Sequence, residues 1–249
     1  MAERQPAALI TGASRRIGAA IARALARAGY AVVLHGRARS EAEGLAADIV
    51  RAGGKAHVVL GDLAEAAAVG GLIKAASAFA PLGLLVNNAA AFEADDIAAL
   101  ERARFERMMA INLTAPLILS QGFAAQAAPG AAIVNILDQR VFKPTPRFLS
   151  YALSKSALHA ATTMLAQALA PKVRVNAVAP GPVLPSPRQS EAQFAAQAES
   201  LPLGRGPSPD DIAAAVVYLA QAQSVTGVTL AVDGGQHVAW RTPDADVAE

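Results

Sequence analysis

Hydrophobic residues along the chain follow two patterns that alternate from one end to the other. Short, continuous apolar runs are typical of buried strands, and longer Ala-rich stretches carry apolar residues at helical spacing. The strand-like runs are 7–11, 30–35, 55–61, 83–89, 131–137, 173–180 and 228–235. The helical patterns cover 17–29, 40–53, 63–80, 97–110, 113–126, 151–169 and 209–222.

The strand-like runs are apolar throughout rather than at every second residue, which indicates burial on both faces and a mostly parallel sheet. Strands that alternate with helices through right-handed crossovers form a doubly wound layer. The sequence therefore predicts an α/β, Rossmann-type doubly wound fold. It has a seven-stranded parallel sheet flanked by helices on both faces, in a single domain over residues 1–249.

Two segments fall outside this alternation. Residues 181–208 are rich in Pro and Ser and show no clear period, so we expect a long irregular insertion there. Because long loops in compact domains often cover active sites, we expect 181–208 to form a mobile substrate lid. Residues 241–249 are polar and are expected to form a frayed tail, unless they dock on a neighbouring subunit.

Composition narrows the class of protein. Hydrophobic residues make up 53% of the chain, and the net charge is +2, which gives no argument for nucleic-acid binding. The absence of cysteine excludes disulfides, thiolate chemistry and Cys-ligated metals, and the 4 His lack metal-ligand spacing, so no metal is expected. The N-terminus lacks a signal-peptide pattern and no apolar run reaches the roughly 18 residues of a membrane span. We expect a soluble cytoplasmic protein without membrane partners.

A glycine-containing loop, Thr11–Gly18 (TGASRRIG), follows the first predicted strand and opens the first helix. Gly12 allows a tight turn, and Gly18 lets the helix pack closely on the strand. The backbone N–H groups at the start of such a helix suit a pyrophosphate. This context predicts a dinucleotide site.

The residues after the second strand indicate which dinucleotide binds. NAD sites place an acid here to bind the ribose 2′-hydroxyl, but this chain has His35, Arg37 and Arg39 before its first acid, Glu41. Guanidinium groups make charge-assisted bonds to a 2′-phosphate. We therefore predict NADP(H), with Arg37 as the main contact and Arg15 within reach. The alternative is that these arginines only begin a solvated helix.

Tyr151 and Lys155 lie on one helix face, four residues apart. A nearby ammonium is expected to stabilise the phenolate, to lower the tyrosine pKa and to allow proton transfer near neutral pH. Asp138 precedes this pair. An ionised carboxylate only accepts hydrogen bonds, so it opposes a carbonyl oxygen that gains negative charge. It suits a heterocycle that presents N–H or amino groups.

These motifs, together with NNAA at 87–90, Asn112, and PGPV at 180–183, resemble the short-chain dehydrogenase/reductase family over essentially the whole chain. The resemblance implies a nicotinamide cofactor whose ribose is held by Lys155, with Asn112 supporting a water near that lysine. It also implies that Asp62 touches the adenine, although Asp62 could equally cap the helix that follows it. The expected cofactor contacts are Gly12, Arg15, Arg16, Ile17, His35, Arg37, Asp62, Leu63, Asn88, Ala89, Lys155, Pro180, Gly181 and Val183.

Three departures from the general family pattern occur together. Arg16 replaces the middle glycine, Phe92 follows the fourth strand, and Asp138 replaces a serine. With Tyr151 and Lys155 they resemble the pteridine reductase branch, including dihydromonapterin reductases. The branch implies NADPH-dependent reduction of a pterin ring C=N bond, an aromatic stacked on the pterin, and proton transfer by Asp138, Tyr151 and Lys155.

The expected substrate contacts are Arg16, Phe92, Asp138 and Tyr151, and the expected substrate is a dihydropterin or dihydrofolate. Ala90 departs from this branch, which often has a serine there. Taken singly, Phe92 could be core packing, Asp138 a turn cap and Arg16 a surface residue.

Two other functions stay open at this point. One is an NADPH-dependent ketoreductase acting on a 3-oxoacyl thioester or a small ketone. The other is a non-catalytic NADP sensor, which the retained Asn112, Tyr151 and Lys155 argue against. The family resemblance also implies a homotetramer through the helices near 97–126 and 151–169 and the C-terminal strand. Val238, Trp240 and the tail could then line a neighbouring site, although a simple hydrophobic anchor is the favoured interpretation of Trp240.

Overall fold

The protein is described here by a computed structural model that covers residues 6–240. Its centre is a seven-stranded sheet in which every neighbouring pair is parallel, in the order β3-β2-β1-β4-β5-β6-β7. The predicted fold class is confirmed. The strands are β1 Ala7–Ile10, β2 Ala31–Gly36, β3 Ala56–Leu60, β4 Leu82–Asn87, β5 Ala131–Ile136, β6 Val173–Pro180 and β7 Thr229–Val232.

Eight α-helices cover the sheet within the described residues. They are α1 Arg16–Arg27, α2 Arg39–Arg51, α3 Ala66–Ser77, α4 Arg102–Met109, α5 Ala115–Gln126, α6 Leu149–Leu169, α7 Glu191–Glu199 and α8 Pro209–Gln221. Short 3₁₀ turns lie at Ile97–Ala99, Gln139–Val141 and Gln236–Val238, and one π-helical turn, Ala110–Thr114, joins α4 to α5.

Strand β1 shows why the strands are apolar on both faces. Successive side chains of a strand point to opposite sides of the sheet. Ala8 and Ile10 therefore enter one core with residues of α1, α2 and α8, while Ala7 and Leu9 enter the other core with residues of α3 and α5. All four residues are buried. A strand between two helical layers needs no polar face.

The strand order places a binding crevice at one edge of the sheet. Strand β1 pairs with β2 on one side and with β4 on the other, so the crossovers leave in opposite directions from this point. In open parallel sheets, ligands bind outside the carboxyl ends of the strands at such a switch point. The loops after β1, β4 and β5 meet there.

The segment 181–208 is more regular than its composition indicated. Helix α7 lies inside it, and Ser190 and Gln193 form a reciprocal capping box at its N-terminus. Leu201, just after the helix, is buried. The expectation of an irregular segment is therefore wrong in part, because the Ser-x-x-Gln cap and the buried leucine stabilise a helix. Its mobility stays a prediction, and the tail 241–249 lies outside the described residues.

One helical stretch, Arg102–Gln126, is long and apolar enough to cross a membrane by length and composition, with a mean hydropathy of 1.3. A helix that packs into the core of a fold passes the same test. Met108, Leu119 and Phe123 of this stretch are fully buried against the sheet and its helices. We therefore interpret Arg102–Gln126 as core.

Candidate active site

The glycine loop (Thr11–Gly18) is shaped by backbone approaches that leave no room for a side chain. A Cβ on Gly18 would lie 2.1 Å from the Gly12 carbonyl oxygen, and a Cβ on Gly12 would lie 2.9 Å from Ala89 Cα. Gly12 also has a left-handed φ of +63°. These glycines hold the start of α1 directly over the end of β1. This cradle, with its helix N-terminus, fits a dinucleotide pyrophosphate.

Polar side chains tie the glycine loop to the end of β4. The Thr11 hydroxyl accepts hydrogen bonds from the backbone N–H groups of Asn88 and Ala89 at 2.9 and 3.0 Å. The Asn88 side-chain amide donates to the carbonyls of Thr11 and Gly12 at 2.8 and 3.1 Å. Asn88 and Ala89 therefore fix the floor of the crevice where the cofactor was predicted.

His35 has a different place from the one expected. Its Nδ1 accepts from the Gly12 backbone N–H at 3.3 Å, and its Nε2 lies 3.1 Å from the Gly61 carbonyl oxygen. Burial lowers the pKa of His35, which favours the neutral ring with a proton on Nε2. Both ring nitrogens are engaged within the protein. His35 therefore braces the glycine loop, whereas the sequence had suggested a direct cofactor contact.

The surface beyond β2 presents the predicted 2′-phosphate contact. Arg37 is exposed, and its guanidinium is 4.0 Å from the Asp62 carboxylate. Arg39 instead pairs with Glu43 at 3.0 Å. Asp62 accepts from the Ala64 backbone N–H at 2.9 Å. The helix cap expected at Asp62 is displaced, because α3 begins later and Glu65 is its N-cap residue.

Arg16 occupies a glycine-like backbone position. Its φ is +51°, a left-handed value that L-residues with bulky side chains seldom adopt. The guanidinium donates to the carbonyls of Leu184 and Pro185 at 3.2 to 3.4 Å. In this structure Arg16 therefore joins the glycine loop to the start of segment 181–208.

The remaining predicted cofactor residues belong to the start of α1 and to the ends of β3 and β6 or the loops that follow them. Gly181 approaches Asp233 so closely that a Cβ would lie 2.7 Å from Asp233 Cα. Val183 is buried in the core that Ile17 packs against, and Leu63 is buried in the opposite core. Pro180 ends β6. Arg15 is the exposed N-cap residue of α1.

Asp138 and Tyr151 are in direct contact. The Tyr151 hydroxyl donates to Asp138 Oδ2 at 3.0 Å. Asp138 also caps the short turn Gln139–Val141 by accepting from the Arg140 backbone N–H at 2.9 Å. The two interpretations of Asp138 raised by the sequence, a partner of Tyr151 and a turn cap, therefore both hold.

Arg140 is a member of this site that the sequence analysis missed. Its Nη1 donates to both Asp138 carboxylate oxygens, at 3.1 and 3.0 Å. Arg140 is mostly buried, with 21% of its side chain exposed. Its position two residues after Asp138 carries no motif, so only the folded loop reveals the contact. The carboxylate is thus held by Arg140 and turned toward Tyr151.

The ionisation of Tyr151 differs from the expectation. Burial is the main cause that raises the pKa of Tyr151 well above its ordinary value, and the Asp138 charge raises it further, while Arg140 opposes this. The expected lowering of the Tyr151 pKa by Lys155 is therefore wrong. Tyr151 is held as a phenol, in the form that donates a proton.

Lys155 is buried beside the same cluster. Its Nζ donates to the Ile136 carbonyl oxygen at 2.7 Å and lies 5.9 Å from the Tyr151 ring centroid. Burial lowers the pKa of Lys155 to about 8, and Asp138 acts in the opposite direction. The ammonium therefore titrates within reach of neutral pH.

Asn112 sits in the π-helical turn between α4 and α5 and is fully buried. Its Oδ1 accepts from the Ala91 backbone N–H at 2.8 Å. Its Nδ2 donates to the Ala91 carbonyl and the Ser154 hydroxyl, each at 3.0 Å. Asn112 thereby ties the loop after β4 to α6. The role in holding a water stays a prediction.

Asp95, which the sequence analysis also missed, positions the start of α6. Its carboxylate accepts from the Ser150 backbone N–H at 3.1 Å and from the Ser150 hydroxyl. Its carbonyl oxygen accepts from the Phe148 N–H at 2.8 Å. Phe148 precedes the helix with a left-handed φ of +57°. A bulky residue held in that conformation is a mark of functional sites.

Phe92 and Phe148 form what we call the aromatic pair. Their rings stack with centroids 4.6 Å apart and an interplanar angle of 14°. Tyr151 meets Phe92 edge-on at 4.7 Å. Phe92 is 36% exposed, so the ring expected to stack on a substrate is accessible rather than enclosed in the core. The pair forms an aromatic wall beside Tyr151 and Asp138.

Comparisons with known proteins agree with this geometry. A protein-family model described as Enoyl-(Acyl carrier protein) reductase matches residues 12–237. The chain is 36% identical, over 92% of its length and 96% of the relative, to an uncharacterized oxidoreductase of Methylorubrum extorquens. It is 36% identical to galactitol 2-dehydrogenase (L-tagatose-forming) of Cereibacter sphaeroides, over 93% and 94% of the two chains.

Two solved structures share more of the sequence with this chain. The FolM alternative dihydrofolate reductase 1 of Brucella suis, in complex with NADP, is 46% identical with a TM-score of 0.93, over 96% of this chain and 98% of that one. Other similar structures also contain NADP or NADPH.

Proposed function

The chain belongs to the short-chain dehydrogenase/reductase family and is an NADP(H)-dependent oxidoreductase, and we propose that its reaction is the reduction of a pterin ring. The substrate is a dihydropterin or dihydrofolate, and the bond reduced is a ring C=N. The observation that carries the proposal is the 3.0 Å hydrogen bond from the Tyr151 hydroxyl to Asp138. A carboxylate there accepts hydrogen bonds from ring N–H or amino groups but repels a carbonyl oxygen that gains charge.

The chain's own residues can perform the proton transfer. Tyr151 stays protonated because burial and Asp138 raise its pKa, which also makes it a weaker acid. It therefore gives its proton to the ring nitrogen only as hydride adds to the carbon of the C=N bond, since the nitrogen then gains the electron pair and becomes a strong base. Lys155 stabilises the phenolate that remains, and Asp138 holds the phenol in position and binds the N–H side of the ring. NADPH, when bound, supplies the hydride. Phe92 is 36% exposed, and we propose that its ring face opposite Phe148 stacks on a flat heterocycle.

We propose that the cofactor contacts are the residues predicted from the sequence, except His35, which braces the glycine loop. Arg37 is exposed for the 2′-phosphate, and the glycine loop offers its N–H groups to the pyrophosphate. The structural relative from Brucella suis, whose name describes a dihydrofolate reductase with NADP, supports the same substrate class.

A ketoreductase remains the competing function, because a relative that is 36% identical over 93% of this chain is named a galactitol 2-dehydrogenase. In that case Asp138 would be a neutral substitution of the family's serine, without a role in catalysis. The two functions separate in a direct assay. Purified protein is mixed with NADPH and either 7,8-dihydrobiopterin, 7,8-dihydrofolate or an acetoacetyl thioester, and NADPH oxidation is followed.

Oxidation with the dihydropterins and much slower oxidation with the thioester is the expected outcome. Protein that binds NADPH but leaves both dihydropterins untouched at millimolar concentration refutes the proposal. Turnover of the thioester alone establishes the ketoreductase, and cofactor binding without any turnover supports a sensor.

We propose that the protein assembles as a homotetramer. Two separate surfaces carry exposed apolar side chains. One lies on α5 and α6, with Ile118, Leu153 and Met164, and the other lies on α8 and β7, with Tyr218 and Leu230. Two apolar patches on different elements suit two dimer axes. Light scattering gives the test, since a monomer at micromolar concentration contradicts the assembly.

A further inference from the structure

Arg188 lies beside the aromatic pair and is exposed to solvent. Its guanidinium carbon is 5.1 Å from the Phe92 ring centroid and 5.3 Å from the Phe148 centroid. Because these two distances are nearly equal and the rings are stacked, the cation lies beside the pair rather than beyond either outer face. A flat ligand on Phe92 would leave its substituents within reach of this guanidinium.

Arg140 flanks the same two rings, at 5.8 and 5.4 Å, but its charge is already paired. It is held by Asp138 through two hydrogen bonds. Arg188 is exposed, and among residues 6–240 no carboxylate lies within 4.0 Å of its guanidinium. Of the two cations beside the aromatic pair, Arg188 is therefore the exposed one, and its charge is not paired with a carboxylate of the described residues.

The backbone that carries Arg188 is held in place by several contacts. Gln189 donates its backbone N–H to the Ser186 carbonyl at 3.0 Å, and the Gln189 side chain reaches Gln197 of α7 at 2.8 Å. The Ser186 hydroxyl accepts from the Arg188 backbone N–H at 3.3 Å. Just before this turn, Arg16 binds Leu184 and Pro185. A side chain presented from an ordered turn loses less entropy when it binds a ligand.

The chemistry of a guanidinium defines its partner. Its planar N–H fork matches a carboxylate or a phosphate, and charge-assisted bonds of this kind are about twice as strong as neutral ones. A substrate with a neutral side chain gains little binding energy from this guanidinium. We propose that Arg188 is a specificity-determining residue that binds an anionic group on the substrate side chain. The group is either the carboxylate of a dihydrofolate tail or the phosphate of a dihydropterin ester. This inference rests on the proposed function and extends it.

The test compares three ligands that share a dihydropterin ring and differ in charge. They are 7,8-dihydrofolate, 7,8-dihydroneopterin monophosphate and the neutral 7,8-dihydrobiopterin. Binding to the NADP⁺-loaded protein is measured by calorimetry, and NADPH oxidation gives kcat and KM. Arg188→Gln is compared with the wild type and with Arg205→Gln, which removes an exposed charge from the same segment away from the aromatic pair.

We expect Arg188→Gln to weaken binding of an anionic ligand about tenfold, through KM rather than kcat, and to change dihydrobiopterin less than about twofold. Arg205→Gln should change none of the three. If Arg188→Gln loses affinity for dihydrofolate alone, the group that Arg188 binds is a carboxylate. If it loses affinity for the monophosphate alone, the group is a phosphate. Equal loss for all three ligands, or no loss for any, overturns the role of Arg188.

The outcomes also separate this inference from the proposed function. If anionic ligands bind through Arg188 but the wild type turns over no dihydropterin, the anion site is supported and the proposed pterin reduction is refuted. If the wild type turns over all three substrates and Arg188→Gln changes none of them, pterin reduction is supported and the anion site is refuted.

Discussion

The two sides of the crevice are built by different kinds of contact. On the cofactor side, backbone meets backbone: Gly18 packs on the Gly12 carbonyl, and Gly12 packs on Ala89. On the substrate side, charged and aromatic side chains from distant segments meet, as Asp138 does with Tyr151. The first kind of contact leaves a local motif in the sequence, because only glycine fits. The second leaves a weaker one, since Asp138 stands out only as a departure from a family pattern, and Arg140 and Asp95 do not stand out at all.

The largest effect is expected from breaking the cofactor side at its tightest point. In Gly18→Ala the new methyl would lie 2.1 Å from the Gly12 oxygen and 2.7 Å from Asn88 Nδ2, so the loop must move. We expect NADPH affinity to fall by about a hundredfold or more, which fluorescence titration measures. Gly44→Ala in α2 is the control, since no atom lies within 4 Å of its added Cβ. If the two variants bind NADPH equally well, the backbone account is refuted.

The substrate side can be probed by pH. Burial lowers the pKa of Lys155 to about 8, so its ammonium is present below that pH and is lost as the pH rises through it. A reaction that needs this cation should lose about tenfold in kcat/KM for each pH unit above 8. The measurement is dihydropterin turnover between pH 6 and 10. A flat profile up to pH 10 would show that the charge of Lys155 is dispensable.

A smaller effect is expected from removing a contact that joins distant segments on the substrate side. Asp95→Ala removes the carboxylate that caps α6 next to Tyr151, which should cost about 1 to 2 kcal/mol of stability and lower kcat. The neighbouring variant Asp96→Ala removes only the cap of the exposed turn Ile97–Ala99 and should leave kcat unchanged. Thermal unfolding and turnover distinguish them. Equal kcat values for both variants contradict the positioning role of Asp95.

The smallest effect concerns Arg16, where the two sides meet. Arg16→Gly relieves a left-handed φ but loses the bonds to Leu184 and Pro185, whereas Arg16→Ala loses the bonds and keeps the strain. The alanine variant should therefore be less stable than the glycine variant by about 1 kcal/mol. Chemical denaturation measures the difference. If Arg16→Ala and Arg16→Gly have equal free energies of unfolding, the backbone at residue 16 relaxes and stores no strain.

Sequence patterns predicted the seven strands, their parallel direction and the Tyr151–Lys155 pair, because each depends on local spacing or on runs of apolar residues. They did not predict the contact of Asp95 with Ser150, which lies 55 positions away along the chain. Helix α7 could have been found from its Ser190-x-x-Gln193 cap, which the Pro-rich surroundings obscured.

His35 was placed correctly at the end of β2, but its side chain points inward to Gly12 and Gly61. Sequence alone gives no direction for such a side chain. The same limit applies to Arg140 and Arg188, whose partners are known only once the loops after β5 and β6 meet the aromatic pair.

The central claim is that Asp138 fits the site to a nitrogen heterocycle, and replacing it tests this directly. The measurement is kcat/KM of Asp138→Ser with 7,8-dihydrobiopterin and with an acetoacetyl thioester, beside NADPH affinity. The account predicts a loss of about a hundredfold or more for the pterin with unchanged NADPH affinity, and no matching loss for the thioester. Retained pterin turnover in Asp138→Ser would contradict it.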